Sequence, residues 1–410
     1  RVSGTLSKGQ IAIDLGEDSR DDESAVVNLI LDNADITCTV SSAIVVYNAY
    51  ECGSDDTETA TKDVDTTNAG VHIILADDSE NTVTGSHVAK IYKEGTTQED
   101  VDAGNAKKQW KFDAAIESLV SIAFDAEEEG TGSLAVNSDN EGIETYLHLT
   151  VNGCNININS FDDGINANED GVSVITINGG VVTVNAGAGQ EGDGIDSNGW
   201  IVINDGLIVT AANATSPDSG VDSDNGIYIN GGTLLASGNM YDEVSNDSEQ
   251  AFVVLSFADS IEAGQMFALK NADGDVITAF SAANDFQTLV YSSSELVDGD
   301  YTLYEISSAE GTEVSGLYIE VTSIEDETQL QYGSKNAGGF GGNGGAPMGG
   351  QAPNGQEGEA PSMPEGEMPS KPEGEAPDMA QIGDEEGGTV FTISGITNTF
   401  SNISKATTSE

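Results

Sequence analysis

The chain has 410 residues, with 71 Asp plus Glu against 13 Lys plus Arg and a formal net charge of −58. A field of that sign excludes nucleic acid and anionic membrane surfaces as natural partners, and it calls for counter-ions. No run approaches 18 consecutive apolar residues, so no segment is read as a membrane span. The chain starts at Arg1 rather than Met, already in a strand-like stretch. The expectation from this is a signal segment upstream and a secreted, extracellular or cell-surface location.

Residues 1–132 alternate in short stretches, through Val27, Leu29 and Leu31, then Ile36, Cys38 and Val40, then Val71, Ile73 and Leu75. Alternation of this kind marks strands with one buried face, here in irregular early coils. Two loops interrupt them, Cys52–Asn68 and Glu94–Lys111, and insertions of this type line one side of a repeat protein. Cys38 and Cys52 flank the apolar run Ile44–Tyr47 and form a candidate disulfide if the chain reverses between them. Cys154 is left over, and a small buried thiol is its ordinary role. The histidines are scattered, and no Cys/His zinc pattern occurs.

Residues 133–250 repeat with a step of about 26. The columns Leu149/Ile175/Ile201/Ile227, Val151/Ile177/Ile203/Ile229 and Ile156/Val182/Ile208/Leu234 keep that step, as do Asn152-Gly153, Asn178-Gly179 and Asn230-Gly231. Stacked strands about 4.8 Å apart bury a continuous aliphatic core that no single repeat buries alone. The fold expected is all-β, a parallel β-helix solenoid of about 26 residues per coil. His148 alternates with Leu147 and Leu149 and is expected at the surface.

The same step aligns acids. Around the Gly-aliphatic pairs, one column holds Glu141, Asp163, Asp193 and Ser219, a second holds Glu144, Asn166, Asp196 and Asp222, and a third holds Asn168, Asn198 and Asp224. Asp162 extends the first. Carboxylates about 4.8 Å apart repel by roughly 3 kcal/mol at an effective dielectric of 20, so a stack of them calls for cations. Ca²⁺ accepts carboxylate, amide and carbonyl oxygens in loose geometry, and several Ca²⁺ ions are the expected cofactor. Turn formation explains the Asn-Gly column but not acids recurring at equivalent places.

From residue 251 to 333 the period is lost, and short apolar strands suggest a β-rich cap over an open end. Residues 334–388 are rich in Gly, Pro and Glu and read as a linker without a core. The segment 389–410 restores a strand pattern in which Val390, Phe391, Ile393 and Phe400 are the apolar positions. It must pair with something, either its own chain or the edge of a neighbour. Pairing with a neighbour makes an extracellular fibre or surface layer the alternative function.

The strings Asp163-Gly164-Ile165-Asn166, Glu191-Gly192-Asp193-Gly194-Ile195-Asp196-Ser197-Asn198-Gly199 and Ser219-Gly220-Val221-Asp222-Ser223-Asp224 resemble a clostridial-type family of secreted carbohydrate-binding β-helix proteins over roughly residues 1–330. The resemblance implies a right-handed, pectate-lyase-like β-helix with bound Ca²⁺ at Asp163, Asn166, Asp193, Asp196, Asp222 and Asp224. It also implies binding of cellulose or polygalacturonate without catalysis. Ser219 departs from the acidic pattern at the last coil.

Three function classes compete. As a binding module for plant-type or acidic polysaccharide, the chain offers Trp200 and Tyr228, both expected to point outward and to stack on sugar rings. As a Ca²⁺-dependent lyase it needs a Lys or Arg base, yet none occurs between Lys111 and Lys270. Glycosidase chemistry needs a carboxyl of raised pKa, which metal-held acids lose, so no enzyme activity is expected. The third class is the fibre subunit.

Overall fold

The computed structural model describes residues 1–87, 95–98, 100, 112–333 and 387–406. Most of the Glu94–Lys111 loop and the low-complexity segment through residue 386 lie outside the described residues. Among those described, the regular elements are strands apart from one short 3-10 turn, Glu17–Asp21, and isolated helical residues at 98 and 100.

The repeat sets the register. His148–Asn152 pairs in parallel with Val174–Asn185, which pairs with Trp200–Ala211, which pairs with Gly226–Ile229, so that Leu149, Ile175, Ile201 and Ile227 are successive partners. A second ladder puts Ile156, Val182, Ile208 and Leu234 in line. A third, seven-stranded sheet is built from shorter strands and runs Ile11–Asp14, Ile44–Asn48, Ala114–Ser118, Glu141–Thr145, Ile165–Ala167, Ile195–Ser197 and Val221–Ser223. The inward aliphatics of all three ladders form one core, in which Ile116, Leu149, Ile165, Ile175, Ile195 and Ile201 are fully buried.

The architecture of these strands corrects the expected right-handed parallel β-helix solenoid. The structure is all-β, but it is a closed eight-strand parallel β-barrel with further strands outside it. A strict repeat dictates which strands are neighbours, whereas closure depends on tilt, stagger and strands outside the repeat. Here the early strands Val2–Leu6, Val27–Thr37, Val71–Leu75 and Ile122–Ala126 extend the first ladder without keeping the 26-residue step.

Beyond the last repeat the pairing turns antiparallel. Phe286–Ser292 lies between Thr233–Gly238 and Phe252–Ile261, joining the repeats to a second core of Phe257, Phe267, Phe280, Phe286, Leu303 and Phe391. The terminal segment belongs to this core. Phe391–Ile393 pairs with Gly299–Ile306, and Thr397–Lys405 runs parallel to Phe252–Ile261. Phe391, Phe400 and Tyr332 contact one another edge-on or tilted, with ring centroids 4.9–5.1 Å apart. Phe391, Ile393 and Phe400 are buried, and Val390 is exposed. The strand is thus paired within its own chain.

The cysteine reading also needs correction. Cys38, Cys52 and Cys154 are free thiols. Cys38 is held in the aliphatic core, while Cys52 lies against Ser121 on the face outside it, where burial pushes its thiol up to about 11.

Candidate functional site

The third sheet carries the acids, and its register brings the expected columns together. Glu144, Asn166, Asp196 and Asp222 are successive Cα partners. Equivalent backbone bonds from Gly142, Gly164 and Gly194 to the carbonyls of Asp163, Asp193 and Ser219 stack the first column. Two acids of that column also accept an N–H from the next level: Asp193 N donates to Asp163 Oδ1 at 2.8 Å and Ser219 N to Asp193 Oδ1 at 2.6 Å. Asn166 Nδ2 donates to Asp163 Oδ2 at 3.3 Å. In the third column Asn198 Nδ2 donates to the Asn168 carbonyl at 2.9 Å, and Asn168 donates to Glu144. Asp224 is exposed at the end of the row.

The columns are costly as bare charges. Burial, then the charge of Asp196, holds the Asp163 carboxyl well above the usual range. Burial likewise pushes Asp193 up to about 9, against the opposing hydrogen bond from Ser219, and Asp222 up to about 6. Asp162 is raised by burial and then by Glu191. Sequence reasoning missed Glu117, which pairs with Glu144 one level earlier and is 2% exposed. Its carboxyl is driven up by burial and then by Glu144. The signal was present, because Ile116-Glu117 repeats Ile143-Glu144 and Ile195-Asp196, but no glycine precedes it.

The donor chemistry suits a hard cation in a mixed oxygen set. Asn166 Oδ1 is buried without a hydrogen-bond partner, on a residue that pairs with Asp196 and whose Nδ2 donates to Asp163. No group of three His, Cys, Asp or Glu side chains converges as a metal site among the described residues. A cation at these columns would therefore need amide and carbonyl oxygens beside the carboxylates, a set that Ca²⁺ accepts.

The opposite expectation, an outward aromatic face, fares differently. Trp200 and Tyr228 are half-buried, on neighbouring strands of the first ladder. The loop Cys52–Asn68 lies across this face. Gly53 sits so close to the His148 ring that a Cβ there would stand 2.3 Å from it, Thr66 Oγ1 bonds Thr150 Oγ1 at 2.5 Å, and Lys62 Nζ stands 5.0 Å from the centroid of the Tyr228 ring. His148 is consequently not a surface residue. It is 2% exposed, its Nδ1 has no partner, and burial lowers its pKa to about 4. Its outward direction was legible, whereas its cover comes from a loop far away in sequence.

A further open surface lies between the second ladder and the cap. There Asn157, Asn159, Thr183 and Asn185 face Glu313 and Tyr318 across a cleft of about 380 Å³.

Residues 1–303 match the family described as carbohydrate-binding domain-containing protein. The chain belongs to this family. As a carbohydrate-binding domain-containing protein it is also similar to a solved structure, the gadolinium derivative of a polysaccharide lyase-like protein from C. thermocellum. The two share 24% identity, with a TM-score of 0.34 over 59% of this chain and 76% of that one. No curated protein matches this family member. No helix among its described residues is long and apolar enough to cross a membrane.

Proposed function

We propose that this protein binds extracellular polysaccharide without cleaving it and that Ca²⁺ at the acidic columns stiffens the binding scaffold. The observation that carries the reading is the family, whose match takes in both strand ladders, the acidic sheet and the start of the cap. The absence of catalysis is supported by charge. No lysine or arginine lies between Lys111 and Lys270. Lys62, which reaches the outer face, is engaged with Tyr228 and Asp63, so among the described residues the regular repeats offer no free lyase base.

Asp163, Asn166, Asp193, Asp196, Asp222 and Asp224 would hold the ions. Bound Ca²⁺ supplies positive charge that offsets carboxylate repulsion, and the ladder itself keeps the acids in line through the bonds to Asp193 and Ser219. Titrating Ca²⁺ into chelator-treated protein tests this part: at a hundredfold excess over Kd the folded state gains about 2.7 kcal/mol, read as a rise in melting temperature. A flat response removes Ca²⁺ from the reading. Affinity electrophoresis in gels containing cellulose derivatives or polygalacturonate tests the binding. Retardation is expected, with no unsaturated uronide released. Release of unsaturated product would make the protein a lyase instead.

A further inference from the structure

We propose that the cleft between the second strand ladder and the C-terminal cap is a subsite for a neutral glycan, an inference that rests on the polysaccharide-binding reading above. One wall is the outward side of four consecutive repeat strands, where Asn157 and Thr183 are partners and so are Asn159 and Asn185. The other wall is the cap hairpin, in which Glu313 pairs with Tyr318. The volume, about 380 Å³, falls in the range of small-ligand sites.

The lining decides the ligand class. It offers amides and hydroxyls at regular strand spacing on one side and a phenol ring on the other, the combination that meets sugar hydroxyls and an apolar ring face. Asn157 Nδ2 is already oriented by its 2.6 Å bond to Thr183 Oγ1, and Asn159 Nδ2 by a 3.2 Å bond to Asn157 Oδ1, so the polar wall is ordered in advance. Asn185 is fixed from behind, because its Oδ1 accepts from Gly187 N and from Asn284 Nδ2. A preordered wall lowers the entropy cost of binding.

Charge separates this cleft from the acidic columns. Among the described residues no lysine or arginine lines it, and its one carboxylate, Glu313, accepts from Gly316 N at 2.6 Å. A uronate chain would meet a carboxylate and no cation. A neutral glycan meets hydrogen-bonding groups and a ring face without charge repulsion, and its binding there requires no Ca²⁺.

Ala283 is exposed on the cleft wall, outside both hydrophobic cores, so Ala283→Trp fills the cleft while sparing the fold. Cellohexaose and oligogalacturonate binding would be followed by calorimetry on the full chain, wild type and Ala283→Trp, with and without chelator. The expected result is cellohexaose binding that persists in chelator and weakens at least tenfold in Ala283→Trp, at an unchanged melting temperature. Conservative Asn157→Gln should weaken it less than Asn157→Leu. Unaltered cellohexaose affinity in Ala283→Trp overturns the cleft while leaving polysaccharide binding in place, and so does binding of oligogalacturonate alone. Binding of neither glycan overturns both readings.

Discussion

His148 and His72 show how one residue type acquires opposite acid–base roles through its surroundings. His148 is sealed under Gly53 and kept neutral, with a pKa lowered to about 4 by burial. The unfolded chain takes up its proton near pH 6.5, so this group costs stability progressively as pH falls from there to about 4. The loss amounts to about 3 kcal/mol. His148→Leu should flatten that part of the curve, measured as urea unfolding free energy at several pH values, and an unchanged slope would mean that the ring is solvated. His72 behaves in the reverse sense. Its 2.6 Å bond to Asp125 raises its pKa despite burial, so its contribution is complete below about pH 6.5 and is lost as pH rises through the folded value. Burial alone would raise Asp125, but the bonds from His72 and Asn152 more than offset it, and its contribution is lost as pH falls through its lowered value. The pair is at full strength between about pH 4 and 6.5. His72→Gln should therefore remove a decline in stability on the alkaline side and leave in place the slope from about pH 6.5 down to about 4 that His148 sets.

At the scale of elements, the asparagine column is a directed chain. Asn230 donates to Asn204, Asn204 to Asn178 and Asn178 to Asn152 at 2.8–2.9 Å, and Asn152 donates to Asp125 at 2.8 Å. All donors point toward the one carboxylate, so the chain ends in a charge-assisted bond. Asn178→Ala breaks two links and should cost about 1–2 kcal/mol in chemical denaturation. A neutral result would mean that water replaces both. The glycines of the acidic sheet are stricter. A Cβ on Gly194 would lie 2.3 Å from the Gly220 carbonyl oxygen and 2.7 Å from Thr210 Cβ, so Gly194→Ala should cost about 3 kcal/mol or more. Wild-type stability in that variant would show that the ladders can separate there. These elements were legible because a repeat fixes partners: the columns through Leu149, Val151 and Ile156 stand in the register that their spacing dictates. Glu117 and the cover over His148 were not, for a common reason. Both depend on segments that leave the period, the strand Ala114–Ser118 following an insertion and the loop Cys52–Asn68 returning across a face more than 80 residues away. Closure into a barrel was illegible on similar grounds, since pairing order does not encode it.

For the whole molecule, the terminal strand is the piece that joins the ends of the sequence order to the middle of the structure. Thr397–Lys405 covers the edge of Phe252–Ile261, which would otherwise present unpaired backbone beside the buried Val253 and Leu255. Phe391, Ile393, Phe400 and Ile403 are each less than 7% exposed, and truncating a buried phenylalanine costs about 3–5 kcal/mol. A chain ending at Gly333 loses all four side chains and uncovers that strand. It should therefore melt earlier and self-associate through the exposed edge, as followed by light scattering, and Phe400→Ala in the full chain should lower the melting temperature without self-association because the strand still pairs. The two variants separate packing from edge protection: aggregation in both would assign the effect to lost core, and a shortened chain that stays monomeric at the original melting temperature would mean the strand is dispensable to its own molecule and available to another. The geometry favours retention, because the aromatic contacts among Tyr332, Phe391 and Phe400 bind the strand to the cap through side chains as well as backbone. The cleft wall carried by Glu313 and Tyr318 stands on the same cap, so loss of the terminal strand should weaken cellohexaose binding in step with cap stability, whereas Ala283→Trp acts on binding alone.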